Sequence, residues 1–193
     1  MTLDLPPLIH ERVVCSLSAA AKYEIPANVL LAVAEKENGR PGQWVRNSNG
    51  SHDVGQLQFN TKYLRSLERY GITPSDVAAA GCYPYDLAAW RLRQHITKDA
   101  GDLWTRSANY HSRSLNFNEV YRADLMHRAA RWADWLAARY PTHEVSAVAH
   151  AARMPLPAAG AAKGATRFPR QIKDTLRESG DYVPRKVLIY NRP

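Results

Sequence analysis

IPANVLLAVAEKENG, residues 25–39, is the stretch on which the architecture turns. Pro26 stands where a helix could begin, Val29, Leu30, Val33 and Ala34 recur at helical spacing, and Gly39 stops the run. At about 100° per residue those four positions span one arc, with Glu37 near its middle and Glu35 almost opposite. Glu35 is therefore expected in solvent. Glu37 is expected among apolar side chains, one turn beyond Val33, where burial disfavours the charged form and raises a carboxyl pKa toward that of a proton donor at neutral pH. A frayed helix end would instead leave Glu37 exposed or ion-paired.

The next residues break the helical pattern with Pro41, Gly42, Asn49-Gly50 and Gly55, and Asn49-Gly50 is a strong hairpin signal. A small β-hairpin is expected over residues 40–59. Its returning strand would carry Asp53, Gln56 and Gln58, with Gly55 leaving room for a close approach. Amide side chains suit neutral sugar hydroxyls and N-acetyl groups because they donate and accept in fixed directions. An acid beside such a cleft is what glycoside cleavage requires.

Helical signals fill the rest of residues 8–140. A first amphipathic helix is read from Leu8 to Tyr23, and Asn60 caps another that reaches Tyr70, with Gly71 after it. Thr73-Pro74-Ser75-Asp76 resembles a capping box for a short helix ending near Gly81. Further helices are read over Asp86–Lys98, Asp102–Ser112 and Asn118–Tyr140, the last with Val120, Tyr121, Met126, Ala129, Trp132, Ala133 and Leu136 on a core-facing side. Residues 141–165, rich in Ala, Pro and Gly, read as a linker. A basic patch (Arg167, Arg170, Lys173) follows, then an apolar run, Val187-Leu188-Ile189-Tyr190, that could pair as a strand. The division is thus a domain over residues 1–140 and a tail over residues 141–193.

Composition narrows the function classes. The 193 residues carry a formal net charge of +8, which favours anionic surroundings: nucleic acid, lipid head groups or acidic wall polymers. DNA binding lacks a helix-turn-helix, zinc or RNA-recognition motif, so no nucleic-acid partner is expected. No run approaches the roughly 20 apolar residues of a membrane span, and MTLDLPPLIHERVV at the start has no continuous apolar core of a secretory signal. The two cysteines, Cys15 and Cys82, lack the paired spacing of a zinc site, and neither metal nor cofactor is expected. They could pair in an exported protein or stay free and buried.

Three motifs in order carry a resemblance. Glu37-Asn38, then Gly55-Gln56-Leu57-Gln58-Phe59-Asn60, then Asn109-Tyr110-His111-Ser112 are similar to the active-site motifs of lysozyme-like lytic transglycosylases. The likeness is greatest to those that accompany type IV secretion, conjugation and related export machines, and it covers about Cys15 to Leu136. In that group the catalytic Glu is followed by Ser, here Asn38, and the second motif reads Gly-Leu-Met-Gln-Ile-Asn. The departures fall at Gln56 and Leu57.

The resemblance implies a mainly α (α+β), lysozyme-like fold with the small hairpin beside an active-site cleft. It implies Glu37 as the catalytic acid/base on peptidoglycan, with no cofactor. Substrate contacts are implied for Gln58, Gln56, Leu57, Asn60, Asp53, Asn47, Tyr110 and His111. Tyr110 would approach Glu37 and position the N-acetyl group or the carboxyl, and His111 and Ser112 would line the cleft. It also implies a Cys15–Cys82 disulfide, location in the periplasm or export, and contact of the tail with secretion or conjugation components.

Two chemistries follow. In lytic transglycosylases the substrate's own N-acetyl oxygen assists, the muramic 6-hydroxyl attacks, and a 1,6-anhydro end results. Asp53 then has a structural role, orienting Asn47 or capping a turn. Asp53-Val54-Gly55-Gln56-Leu57-Gln58-Phe59-Asn60 also resembles the second-carboxylate segment of animal-type lysozymes, in which Glu37 and Asp53 would hydrolyse the bond together, as in the familiar lysozyme pair. The remaining alternative is a non-catalytic wall-binding or secretion-scaffold protein that kept the fold.

Overall fold

A central helix organises the chain. In the computed structural model, which describes residues 7–144 and 185–187, α2 (Ala27–Glu37) has eight consecutive buried residues, Ala27 to Ala34. A helix apolar all round is enclosed by neighbours. Here α1 (Pro7–Lys22), α5 (Tyr83–Lys98) and α7 (Leu115–Ala137) pack around it. The single apolar arc expected from Val29, Leu30, Val33 and Ala34 is thus too narrow, since Leu31 and Ala32 are equally buried. Buried Asn28 donates from Nδ2 to the Ala129 carbonyl at 3.2 Å and so ties α2 to α7.

Asn38 takes a left-handed conformation (φ 46°) and its N–H bonds the Ala34 carbonyl, which ends α2. Beyond it lies a three-stranded antiparallel sheet, where two strands were expected: β1 (Trp44–Arg46), β2 (His52–Val54) and β3 (Phe59–Asn60) in that order. Val45 stands opposite Asp53, and Asp53 opposite Asn60. The third strand exists because Gly55 (φ 71°) and Gln58 (φ 49°) reverse the chain after Val54. A Cβ on Gly55 would collide with the Val77 carbonyl, and one on Gly39 with the Gly55 carbonyl. Gly39 also donates its N–H to the Gln56 carbonyl at 3.1 Å, so the end of α2 is sewn to the sheet's turn.

α3 (Thr61–Leu67) is capped by Asn60, whose side chain accepts from the Lys62 N–H, and a 3-10 turn extends it through Tyr70. The Thr73–Asp76 capping box is formed, but α4 (Pro74–Ala78) stops short of Gly81. α5 starts before Asp86, with Pro84 in its first turn. Asp86 instead binds Lys22 Nζ at 2.8 Å and the Tyr23 hydroxyl at 2.9 Å, holding α5 to the end of α1. Cys15 and Cys82 are disulfide-bonded, their Cα atoms 4.9 Å apart, across a sequence separation of 67 residues. Closing a loop of that length is worth about 4 kcal/mol in the chain-entropy model.

α6 (Leu103–Ala108) ends before Ser112. Buried Asn118 accounts for the early stop: its Nδ2 donates to the carbonyls of Thr105 and Ser112 and to Asn109 Oδ1, fixing residues 109–112 as a turn. α7 accordingly starts at Leu115, and its buried residues are Asn118, Tyr121, Leu125, Ala129, Ala133 and Leu136. Val120, expected in the core, is 73% exposed.

After α7 the first residues of the expected linker form a strand. β4 (Thr142–Glu144) pairs antiparallel with β5 (Arg185–Val187), Thr142 opposite Val187, and β5 lies beside α1 and α2. Of the expected run, only Val187 falls among the described residues, and it lies in this strand. Leu188–Tyr190, the basic patch Arg167, Arg170 and Lys173, and most of the linker lie outside the described residues. Among the described residues no helix is long and apolar enough to cross a membrane.

Candidate active site

Glu37 is the last residue of α2, where the helix emerges from the core. Part of its surface stays open while protein crowds the carboxyl on the remaining sides. Burial pushes its pKa up to about 7, against opposing effects of the Tyr121 hydrogen bond and the Arg91 and Lys36 charges; the Asp53 charge adds to the rise. At neutral pH such a group is divided between acid and base forms, the condition for giving and then retrieving one proton.

The hydroxyl that meets it comes from α7. Tyr121 donates to Glu37 Oε1 at 2.7 Å. Burial, with the Glu37 charge next, holds the Tyr121 phenol well above its ordinary pKa, so it acts as a fixed donor. The ring of His111 stacks on that of Tyr121, with centroids 4.9 Å apart and planes 2° from parallel. His111 keeps an exposed edge, while the packing of its ring, with the Lys36 and Arg91 charges, lowers its pKa. Lys36 Nζ lies 6.0 Å from the Tyr121 ring and is paired with Asp124 at 2.6 Å.

Of the residues singled out in the sequence, Gln58 and Asp53 share this neighbourhood with Glu37. Gln58 lies against Gly39, two residues past Glu37, and its Nε2 donates to the Gly55 carbonyl at 2.7 Å. Asp53 is close enough for its charge to act on both Glu37 and His111. One of its oxygens accepts from Asn60 Nδ2 at 2.8 Å, so Asp53 orients Asn60, not Asn47. Asn47 sits at the hairpin turn and donates to Ser51 Oγ at 3.2 Å; Ser51 Oγ also accepts from Asn60. Asn60 is spent on these bonds and on capping α3.

The others are committed to the core or to α1. Tyr110 is a core residue near enough for the Glu37 charge to act on it, but its hydroxyl donates to the Leu57 carbonyl at 3.1 Å and not to the acid. Leu57 is fully buried. Gln56 is drawn away to α1, its Nε2 donating to Glu11 Oε1 at 2.6 Å. The irregular turn at Gly55 and Gln58 abolishes the simple strand alternation that had placed Gln56 beside Gln58. Glu35 is also displaced from the solvent position expected for it. It accepts from Arg128 Nη1 (2.6 Å), Arg131 Nη2 (2.8 Å) and Trp132 Nε1 (2.7 Å), and it clamps α2 to α7.

Two functional candidates escaped the sequence reading. The spacing of α7 places Tyr121 in the core, and the available signal is that a buried tyrosine hydroxyl needs a partner. Arg91 of α5 lies between the rings of Tyr63 and Tyr110, 4.3 and 4.4 Å from their centroids. Nothing in its local sequence marks it. No group of His, Cys, Asp or Glu among the described residues could hold a metal.

No family model matches the chain. It is distantly homologous to Protein IpgF of Shigella flexneri, 33% identical over 83 residues that make up 42% of this chain and 55% of the relative. It is likewise similar to Invasion protein IagB of Salmonella typhimurium, 26% identical over 99 residues, 51% of this chain and 61% of the relative. The matched region spans little more than half the length of these curated relatives.

Proposed function

We propose that this chain is a peptidoglycan lytic transglycosylase of lysozyme-like fold, cleaving the β-1,4 bond between N-acetylmuramic acid and N-acetylglucosamine. Glu37 gives its proton to the bridging oxygen as that bond breaks, while the N-acetyl oxygen of the muramic residue shields the anomeric carbon. The Glu37 carboxylate then takes the proton of the muramic 6-hydroxyl as that oxygen bonds to the anomeric carbon, leaving a 1,6-anhydro end. The observation that carries this reading is the Glu37 carboxyl itself, pushed up to about 7 by burial at the open end of α2 and held by the Tyr121 hydroxyl. Gln58 and Asp53 flank it, and the engagement of Asp53 with Asn60 favours a structural role for that carboxylate.

The catalytic unit is residues 1–140, with residues 141–193 as a tail that contacts an export apparatus. The Cys15–Cys82 bond favours an oxidising compartment such as the periplasm. The proposed role is local opening of the wall for an export apparatus; similarity to a protein named for invasion fits an apparatus that acts on other cells and does not single out conjugation.

Digestion of purified wall by the parent and by Glu37→Gln, read by mass spectrometry, tests the proposal. Anhydro-muramic ends from the parent and loss of soluble product in the variant are expected. Reducing ends would instead assign hydrolysis by Glu37 and Asp53, a reading supported by the reach of the Asp53 charge to Glu37. A Glu37→Gln protein as active as the parent would leave only a wall-binding or scaffold role.

A further inference from the structure

Next to the acid lies a recess of about 450 Å³ that the chemistry above does not use. Arg91, Gln94 and Lys98 reach it from α5, three and four residues apart and so on one helical face. Asn109, Ser112 and Arg113 reach it from the turn that Asn118 fixes. His111 forms part of its wall and stacks on Tyr121, the residue whose hydroxyl meets the Glu37 carboxyl, and Arg91, also in the wall, is near enough for its charge to act on Glu37.

Its charge is unbalanced. Arg91, Lys98 and Arg113 face a single carboxylate, Asp99, which leaves two positive charges uncompensated. The Asp99 oxygens are already engaged by His95 Nδ1 (2.7 Å), Asn109 Nδ2 (2.8 Å) and Arg113 Nη2 (3.0 Å). Arg91 spends one N–H on the Tyr110 carbonyl at 2.7 Å, and among the described residues it has no carboxylate within ion-pairing distance. The two tyrosine rings hold its planar guanidinium in place. Lys98 is exposed and likewise forms no ion pair with a described residue.

Neutral sugar hydroxyls do not call for fixed, unpaired cations. A concave site of one sign concentrates anions, and a preoriented guanidinium with amide and hydroxyl donors around it matches a carboxylate. On a peptidoglycan strand the carboxylates nearest the glycosidic bond belong to the peptide stem, which hangs from the muramic residue.

We infer that this recess binds the free carboxylates of the peptide stem carried by the strand being cut, so that the site selects strands with acidic stems. The inference rests on the peptidoglycan reading. Stem recognition sets KM, while Glu37 sets the chemical step.

The test uses one wall preparation in two forms: untreated, and with its stem carboxylates capped as neutral methylamides. The parent should show a kcat/KM about 5–10-fold higher on the untreated form, expressed mainly in KM, and added salt should shrink the difference. In Lys98→Gln/Arg113→Gln, which keeps the Arg91 guanidinium beside the acid, the ratio should fall to about half the parent's or less, with a melting curve confirming the fold. Lys98→Gln alone, at an exposed side chain, should move it part of the way. A parent that cuts both forms equally well, or a folded double variant that keeps the preference, overturns the inference and leaves the proposed function standing. A parent that cuts neither form overturns the peptidoglycan reading and this inference with it.

Discussion

Two carboxylates on α2, two residues apart, meet opposite surroundings. Glu35 is 24% exposed and is met by two guanidinium groups and an indole N–H, all from α7. Glu37 receives one neutral hydroxyl from the same helix, and the cations that influence it, Arg91 and Lys36, are committed elsewhere, to the Tyr110 carbonyl and to Asp124. Partial burial with paired charge makes a clamp. Burial without it makes a group that holds a proton near neutrality. The difference lies in what α7 presents at Tyr121 against what it presents at Arg128, Arg131 and Trp132.

Exchanging each glutamate for glutamine should separate the two roles. Glu37→Gln should lower kcat on purified wall by about 10³-fold, within the range for loss of a general acid, while Glu35→Gln should stay within about tenfold of the parent. Equal losses would erase the contrast. In stability the order reverses. Glu35→Gln should destabilise the fold by about 1–3 kcal/mol in urea unfolding, because Arg128 and Arg131 lose a partly buried partner.

Glu37→Gln should stabilise the protein, and only on the alkaline side. A carboxyl raised from 4.5 to about 7 in the folded state binds its proton more tightly there than in the unfolded chain. The cost to stability is absent below about 4.5, grows through that window and is complete above 7. Removing the charge should therefore add on the order of 2 kcal/mol at pH 8 and nothing at pH 4. Melting temperatures of parent and variant at the two pH values check this, and an equal shift at both would show that burial of the charge is not the cause.

The smallest effect concerns the hydroxyl. Tyr121→Phe removes a bond that favours the Glu37 carboxylate, so the alkaline fall of kcat/KM should move to higher pH, with about tenfold lower activity at its maximum. A limb that stays in place would detach Tyr121 from the acid.

The sequence was most legible where a rule acts locally. The turn at Asn49-Gly50, the Asn60 cap and the Thr73–Asp76 box each follow from one or two residues and their backbone demands, whereas α2 stops one residue before Gly39, at a left-handed Asn38. Glu37 was legible for a related reason, although the single arc invoked for it was too narrow: α2 is enclosed on all sides.

What stayed hidden depends on distant parts of the chain. Gln56 and Gln58 diverge because two residues with positive φ undo the strand parity. That Tyr121, and not Tyr110, gives its hydroxyl to the acid depends on the Asn118 amide, which closes α6 early and fixes the 109–112 turn so that His111 stacks on Tyr121 while the Tyr110 hydroxyl meets the Leu57 carbonyl. Val120 and Tyr121 are neighbours in sequence on opposite sides of the core boundary, a distinction that the 3.6-residue period resolves only once the facing helix is known.

The central claim is that the Glu37 carboxyl carries a proton near neutral pH. Following the side-chain carboxyl carbon of Glu37 by NMR across a pH titration, with Glu37→Gln to assign the signal, measures it directly. A midpoint at about 7 is expected. A midpoint at the ordinary glutamate value of 4.5 would contradict it.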